Sequence, residues 1–180
     1  MNSTFWNVPE GCVSFVLEYM SGNSLAKLVD SVGCIPEFIL SKVIKEVSKG
    51  VGFVHYMIGP HGGISPSQVF FTRDGYIKIG LGLFKRVNNQ KISIENDVFD
   101  IGHTTLIAAL GGSDWFEQEQ IDNVSTNCCL YHALEEIEPN PLFNRFSPNL
   151  KNFLCGCLQF DERRRLSLQE VIGHPWIVEK

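Results

Sequence analysis

Nowhere in its 180 residues does the chain carry a long apolar run. A membrane span needs roughly 20 consecutive apolar residues, so a membrane is not expected as a partner. Basic charge is short as well, with 15 Lys and Arg against 20 Asp and Glu and a formal net charge of −5. Nucleic-acid backbones are bound by clustered Lys and Arg, and that balance argues against them. The opening stretch "MNSTFWNVPEG" has neither the basic region nor the apolar core of a secretory signal. Zinc-type spacing is missing around the six cysteines, Cys12, Cys34, Cys128, Cys129, Cys155 and Cys157, since "CC" and "CGC" are not ligand pairs. The histidines His55, His103, His132 and His174 have no ligand spacing either and read as packing or surface residues. No metal is expected. The cysteines read as reduced thiols of a cytoplasmic or nuclear protein, which leaves the sequons at Asn2 and Asn123 as chance matches.

What is present suits one soluble domain. The apolar share is 44% and the charged share 19%, and a chain of this length buries about two-thirds of its unfolded surface. "CVSFVLEYM" (12–20) is a short β-rich run ending in a polar hinge. "SLAKLVDSV" follows as a helix, with Ser24 as N-cap and Leu25, Leu28, Val29 and Val32 on one face. From Pro36 to Ile58 the positions Leu40, Val43, Ile44, Val47, Val51, Val54 and Ile58 mark a long amphipathic helix, stopped by Gly59-Pro60. "VFFTRDGYIKI" (69–79) has two β-rich arms around Arg73-Asp74-Gly75 and predicts a hairpin.

"DVFDIGHTTLIAALGG" (97–112) is apolar nearly all round, which predicts a central buried helix. "CCLYHALEEI" (128–137) reads as a surface helix. "SPNLKNFLCGCLQF" opens with Ser147 as N-cap and Pro148 in the first turn, with Leu150, Phe153, Leu154, Cys157 and Leu158 as its stripe. "SLQE" (167–170) is a capping box. A few strands followed by helices predict an α+β, mainly α fold rather than an alternating β/α sheet.

Four segments in this order resemble the C-terminal lobe of a eukaryotic protein kinase. "VLEYMSGNSLAKLV" resembles the last N-lobe strand, hinge and first C-lobe helix, with Leu17 at the gatekeeper position and Glu18 to Met20 as hinge. "HGGISPSQVFF" lines up with H-R-D-x-K-P-x-N and the strand after it, and "DVFDIG" with the start of the central helix. "CLQFDERRRLSLQEVIGHPWI" resembles the closing segment, with Arg165 at its usual arginine. Hinge and tail are most similar to the mitogen-activated protein kinase kinase and related STE-type branch. The resemblance covers roughly residues 5–178. It implies a single truncated kinase-like domain over 1–180, with 1–20 as N-lobe remnant and hinge and 21–180 as C-lobe.

The same resemblance puts degenerate residues at the chemical positions. Phosphoryl transfer needs an orienter for the hydroxyl, metal ligands, and cations on the phosphates. Behind His61, the arginine of H-R-D is Gly62 and its aspartate, the base, is Gly63. The lysine is Ser65 and the second-metal asparagine is Gln68. The metal-binding aspartate of D-F-G falls at Leu81 without a gap, or at Gly80 with a one-residue deletion. No glycine-rich loop or V-A-I-K lysine is found, and the fourteen residues 83–96 leave no room for an activation loop and A-P-E. Catalytic residues and cofactors are therefore expected to be none, and Leu17, Glu18, Met20 and Phe70 to line a vestigial adenine pocket.

Asp97 and Arg165 are expected to be structural. Asp97 would accept N–H bonds from the catalytic loop, and Arg165, lacking its A-P-E glutamate, would be exposed or paired with a substitute such as Glu95. Gly62-Gly63 could alternatively form an anion-binding nest or imitate a lipase H-G-G, though no G-x-S-x-G elbow supports the second. "GLGLF" lacks the third spaced glycine of a dinucleotide fingerprint. Three functions follow: an inactive kinase-like regulator that binds another protein, with an active kinase as the natural partner; an eroded fragment without independent function; or a residual ATP-dependent serine/threonine kinase. The apolar surface around Leu17, Phe70 and the end of the long helix is one expected docking face, and segment 113–146 a second.

Overall fold

Apolar residues spaced three and four apart fold as helices, and the β-rich runs fold as hairpins. A computed structural model describes residues 4–7, 12–15, 17–82, 92–112, 129–137, 141 and 143–178. Strands β1 (Thr4–Asn7) and β2 (Cys12–Phe15) pair antiparallel, with Thr4 opposite Phe15. The chain then enters α1 (Leu25–Val32), whose N-cap Ser24 accepts from the Lys27 N–H at 3.3 Å. Leu25 and Val29 are buried and Leu28 packs on the core. Val32, expected on the same face, is 60% exposed because the helix ends there and runs past the core.

Helix α2 (Glu37–Ile58) begins after Pro36, which serves as the N-cap rather than lying inside the first turn. Leu40, Val43, Ile44, Val47 and Val51 form its buried stripe. The stripe stops there: Val54 is half-buried and Ile58 is 74% exposed, contrary to the periodic expectation. Strands β3 (Val69–Phe71) and β4 (Ile77–Ile79) make the expected hairpin, with Val69 opposite Ile79. Its turn closes through Gly75 N–H to Thr72 O at 3.1 Å and Tyr76 N–H to Thr72 Oγ1 at 3.0 Å. The hinge side of the chain is tied to this hairpin by Gly22 N–H to Phe71 O and Phe71 N–H to Asn23 O, at 3.0 and 2.9 Å.

Helix α3 (Ile94–Leu110) is the buried centre, opening at N-cap Ser93 and closing at Gly111 in the left-handed region. It starts three residues before the apolar run, because Ser93 caps the Asn96 N–H at 3.1 Å. Helix α4 (Leu130–Ile137) is not the surface helix expected of "CCLYHALEEI". Cys129, Leu130, Tyr131, Ala133 and Leu134 are all buried, leaving His132 facing solvent. Those five residues of the second expected docking face are interior; residues 113–128, 138–140 and 142 and the side chains of 135–137 lie outside the described residues.

Helix α5 (Pro148–Cys157) buries the expected stripe of Leu150, Phe153, Leu154 and Cys157, with Leu158 just after it. Burial without a partner charge raises the pKa of the Cys157 thiol. α5 crosses α3 so closely that a Cβ on Gly102 would lie 2.6 Å from Cys157 Cβ. Only glycine fits that crossing.

The capping box at Ser167 opens α6 (Leu168–Gly173), and α7 (Pro175–Val178) follows directly. Trp176 of α7 packs on Phe153 with ring centroids 4.7 Å apart. Its indole N–H donates to Glu37 Oε1 at 2.9 Å, and Ser147 N–H donates to Glu37 Oε2 at 3.1 Å. One carboxylate thus joins the starts of α2 and α5 to the chain end. One continuous apolar cluster runs through α1–α7. Among the described residues no helix is long and apolar enough to cross a membrane.

Candidate functional site

Asp97, in the first turn of α3, is fully buried and gathers three donors. Its Oδ2 accepts from the His61 N–H at 2.6 Å and its Oδ1 from the Gly62 N–H at 2.8 Å. The His55 ring of α2 adds Nε2 at 2.7 Å from Oδ2. Asp97 therefore clasps the loop as expected, but His55 is its partner rather than a bland packing residue. The clasp also engages the N–H groups of His61 and Gly62, so the Gly62 N–H of the alternative anion nest is already taken by a carboxylate.

His61 is buried and points the other way, with Nε2 2.8 Å from Gly80 O. A carbonyl can only accept, so Nε2 carries the proton. This bond places the end of β4 against the loop. Gln68 ends the 3-10 turn Pro66–Gln68, and its carbonyl accepts the Gly80 N–H at 2.7 Å. An added Cβ on Gly80 would lie 2.1 Å from Gln68 Oε1 and 2.9 Å from Phe70 Cε2. Gly80 thus faces Gln68, as two metal-binding positions must face each other, whereas Leu81 is 41% exposed. Of the two registers, the one with a one-residue deletion places its residue opposite Gln68. The longer Gln68 amide fills the space from which an aspartate side chain would start.

Neither of the positions matched to the base and to the lysine carries an ionisable side chain. Gly63 has no side chain, and Ser65 Oγ meets Ser67 Oγ at 2.9 Å on the surface. A cleft of about 610 Å³ does persist beside the strip. Leu17, Glu18 and Met20 line one wall, with Phe70, Gly80 and Leu81 across from them, so the residues matched to the adenine pocket do come together. Within it, Glu18 forms an ion pair with Lys78 of β4. Both side chains are about half-exposed, so the pair adds little stability.

Arg165 is neither exposed nor paired with the Glu95 carboxylate. It is half-buried, and its guanidinium is held by oxygens that carry no charge. Nε donates to Gln159 O at 2.7 Å, and Nη1 donates to Glu95 O at 3.1 Å and Asn96 Oδ1 at 2.9 Å. Its carbon centre stands 4.8 Å over the Phe99 ring. Burial lowers its pKa, opposed by the carboxylates of Glu162, Asp100, Glu95 and Asp161. Carbonyl capping thus replaces the glutamate, and Glu95 contributes through its backbone.

Outside the cleft the fold gathers a group that spacing did not show. Cys129, His132 and Cys155 bring their sulfur and nitrogen atoms within 4.8 Å of one another. Cys155 Sγ lies 3.4 Å from His132 Nε2. The Cys129 thiol is pulled down to about 6, first by a hydrogen bond from Cys155, against burial, with His132 and the Tyr131 backbone assisting. Cys129 and His132 are three residues apart on one helical turn, the only local sign in the sequence; Cys155 arrives through tertiary packing.

These features sit in a protein kinase scaffold. The protein kinase domain family matches residues 85–177, just over half of the chain, and the chain belongs to that family. It is 28% identical over 197 residues to Mitogen-activated protein kinase kinase 1 of Arabidopsis thaliana, covering 93% of this chain and 54% of the relative. It is 29% identical to Mitogen-activated protein kinase kinase SIPKK of Nicotiana tabacum, with the same coverage. MAP kinase kinase MKK1/SSP32 of Saccharomyces cerevisiae is 27% identical over 194 residues, 92% of this chain and 38% of the relative. The chain spans about half the length, or less, of these relatives.

Proposed function

We propose that this chain is a catalytically inactive kinase-like protein that works by binding another protein, with an active kinase as the partner suggested by its relatives. The observation that carries the inactivity is the geometry around Gly80. The three positions that resemble base and metal ligands, Gly63, Gln68 and Gly80, offer no carboxylate, and the Gln68 amide occupies the room an aspartate would need. Hard cations such as Mg²⁺ want carboxylate oxygens, and loss of a general base alone lowers a rate by about 10²–10⁴. What supports binding is apolar surface at the end of α2. There Phe53, Tyr56, Met57 and Ile58 are 65%, 86%, 59% and 74% exposed. A cytoplasmic site of action, or a nuclear one, fits this reading.

The test is phosphate transfer by protein purified from a host without such kinases. With labelled ATP and Mg²⁺, no phosphate should enter the chain or an added polypeptide; incorporation that survives repurification sinks the proposal.

A second reading, residual ATP-dependent transfer, is favoured by one observation: the cleft above Phe70 remains open. It is checked by thermal shift, since a nucleotide at 100 times its dissociation constant adds about 2.7 kcal/mol of stability. A shift with ATP that Phe70→Asp removes would establish nucleotide binding, and no shift dismisses it.

A further inference from the structure

We propose that Cys129, His132 and Cys155 form a binding site for a zinc-type divalent cation, with two thiolates and one imidazole as ligands and a fourth position open to solvent. The donor set carries the choice of metal. Mixed sulfur and imidazole ligands suit zinc, whereas hard cations select oxygen.

The geometry carries the site. Tetrahedral zinc, with bonds of roughly 2.3 Å to sulfur and 2.0–2.1 Å to nitrogen, sets its ligand atoms about 3.6–3.8 Å apart. Here the Cys155–His132 separation is 3.4 Å, and all ligand atoms lie within 4.8 Å of one another. Closing on a metal needs these atoms to approach by on the order of 1 Å. The two cysteines are thiols rather than a disulfide, the oxidation state in which sulfur ligates zinc.

The platform is held independently of any ion. Leu130 N–H donates to Leu158 O at 2.9 Å, and Cys129 bridges to Gln159 beside it. Gln159 Nε2 in turn donates to Cys155 O at 2.7 Å, fixing the backbone that carries the third ligand. Burial is graded across the group. Cys129 is buried, Cys155 half-buried and His132 exposed, so the fourth position faces water. The site shares no residue with the kinase-like cleft, and its fate is independent of the proposal made for that cleft.

Cobalt(II) titration of the full chain, reduced and freed of metal by a chelator under anaerobic conditions, tests this. Binding should saturate at one ion per chain, with thiolate-to-cobalt charge-transfer absorption and the visible bands of a tetrahedral site, and added zinc should bleach both. Cys129→Ser and Cys155→Ser should each abolish the charge-transfer band at stoichiometric cobalt, and His132→Ala should abolish saturation there. Cys34→Ser, at an exposed thiol elsewhere, should leave the spectrum unchanged.

Circular dichroism establishes that each variant is folded. Should the buried Cys129 variant not fold, the exposed His132 variant and zinc protection of Cys155 from alkylation in the unaltered chain decide the matter. A folded, reduced chain that gives no charge-transfer band overturns the proposal, as does a band that survives both cysteine variants. Isolation of a Cys129–Cys155 disulfide from freshly alkylated cells also overturns it and makes the pair a redox couple.

Discussion

Asp97 is the residue on which the loop geometry rests. It is fully buried and takes two backbone N–H bonds and a histidine ring. Asp97→Ala strands all three donors, and by analogy with broken buried pairs it should cost about 3–5 kcal/mol in urea unfolding. Asp97→Asn keeps the shape but turns an NH₂ toward a donor, so it too should lose at least about 1 kcal/mol; a neutral Asp97→Asn would contradict the assigned clasp.

Gly80 gives a sharper check. Gly80→Asp overpacks against Gln68 and Phe70 and should cost about 1–3 kcal/mol. Shortening the amide with Gln68→Asn should return part of that, giving a coupling energy above about 0.5 kcal/mol. Strict additivity would mean that Gln68 does not occupy the space. The clasp by Asp97 was readable beforehand, through the resemblance, but its histidine partner was not. His55 lies 42 positions from Asp97, and no local pattern links them.

At the level of elements, caps and stripes were the readable signals because they are local. Ser24, Ser147 and Ser167 all cap the helices they were expected to open. Ser147 does more than its pattern shows, since its N–H and hydroxyl also bond Glu37 of α2. Ser147→Ala should therefore lower stability by about 1–2 kcal/mol, at the upper end for an N-cap, and Glu37→Gln in the same background should cost less than it does alone. Chemical denaturation of the parent, the two single variants and the double variant measures both.

The Ser167 box predicts a pH effect. Bonds from the Ser167 N–H and hydroxyl hold the Glu170 carboxyl below the usual carboxylate range. A depressed folded pKa means stability is fully present above the unfolded value, near 4.3, and is lost as pH falls through the folded one. Amide exchange at the start of α6 should thus quicken, relative to its intrinsic pH trend, on acidification through that window, and Glu170→Gln should remove the dependence. Helix α4 was expected as a helix, but its burial escaped the sequence reading for a different reason. Its inner face is covered by α5, and short apolar runs do not reveal which neighbour covers them.

For the whole molecule, the mainly α architecture was readable because apolar period, caps and turn residues agree along the chain. Exposure was not. Periodicity gives the face a residue lies on, but whether other elements reach that far is a tertiary fact, so Val32 and Ile58 were misplaced. That same failure marks the surface proposed to bind a partner. Phe53, Tyr56, Met57 and Ile58 make little contribution to the core, so replacing Tyr56, Met57 and Ile58 together by serine should leave unfolding within about 0.5 kcal/mol per site of the parent, the range of ordinary surface substitutions. If an active MAP kinase kinase is the partner, cross-links from the parent chain should map to this end of α2, and the triple variant, still folded, should lose both the cross-links and co-elution with that kinase. Undiminished co-elution by the folded triple variant would remove this surface from the proposed interaction, because the variant lacks the exposed apolar side chains that define it.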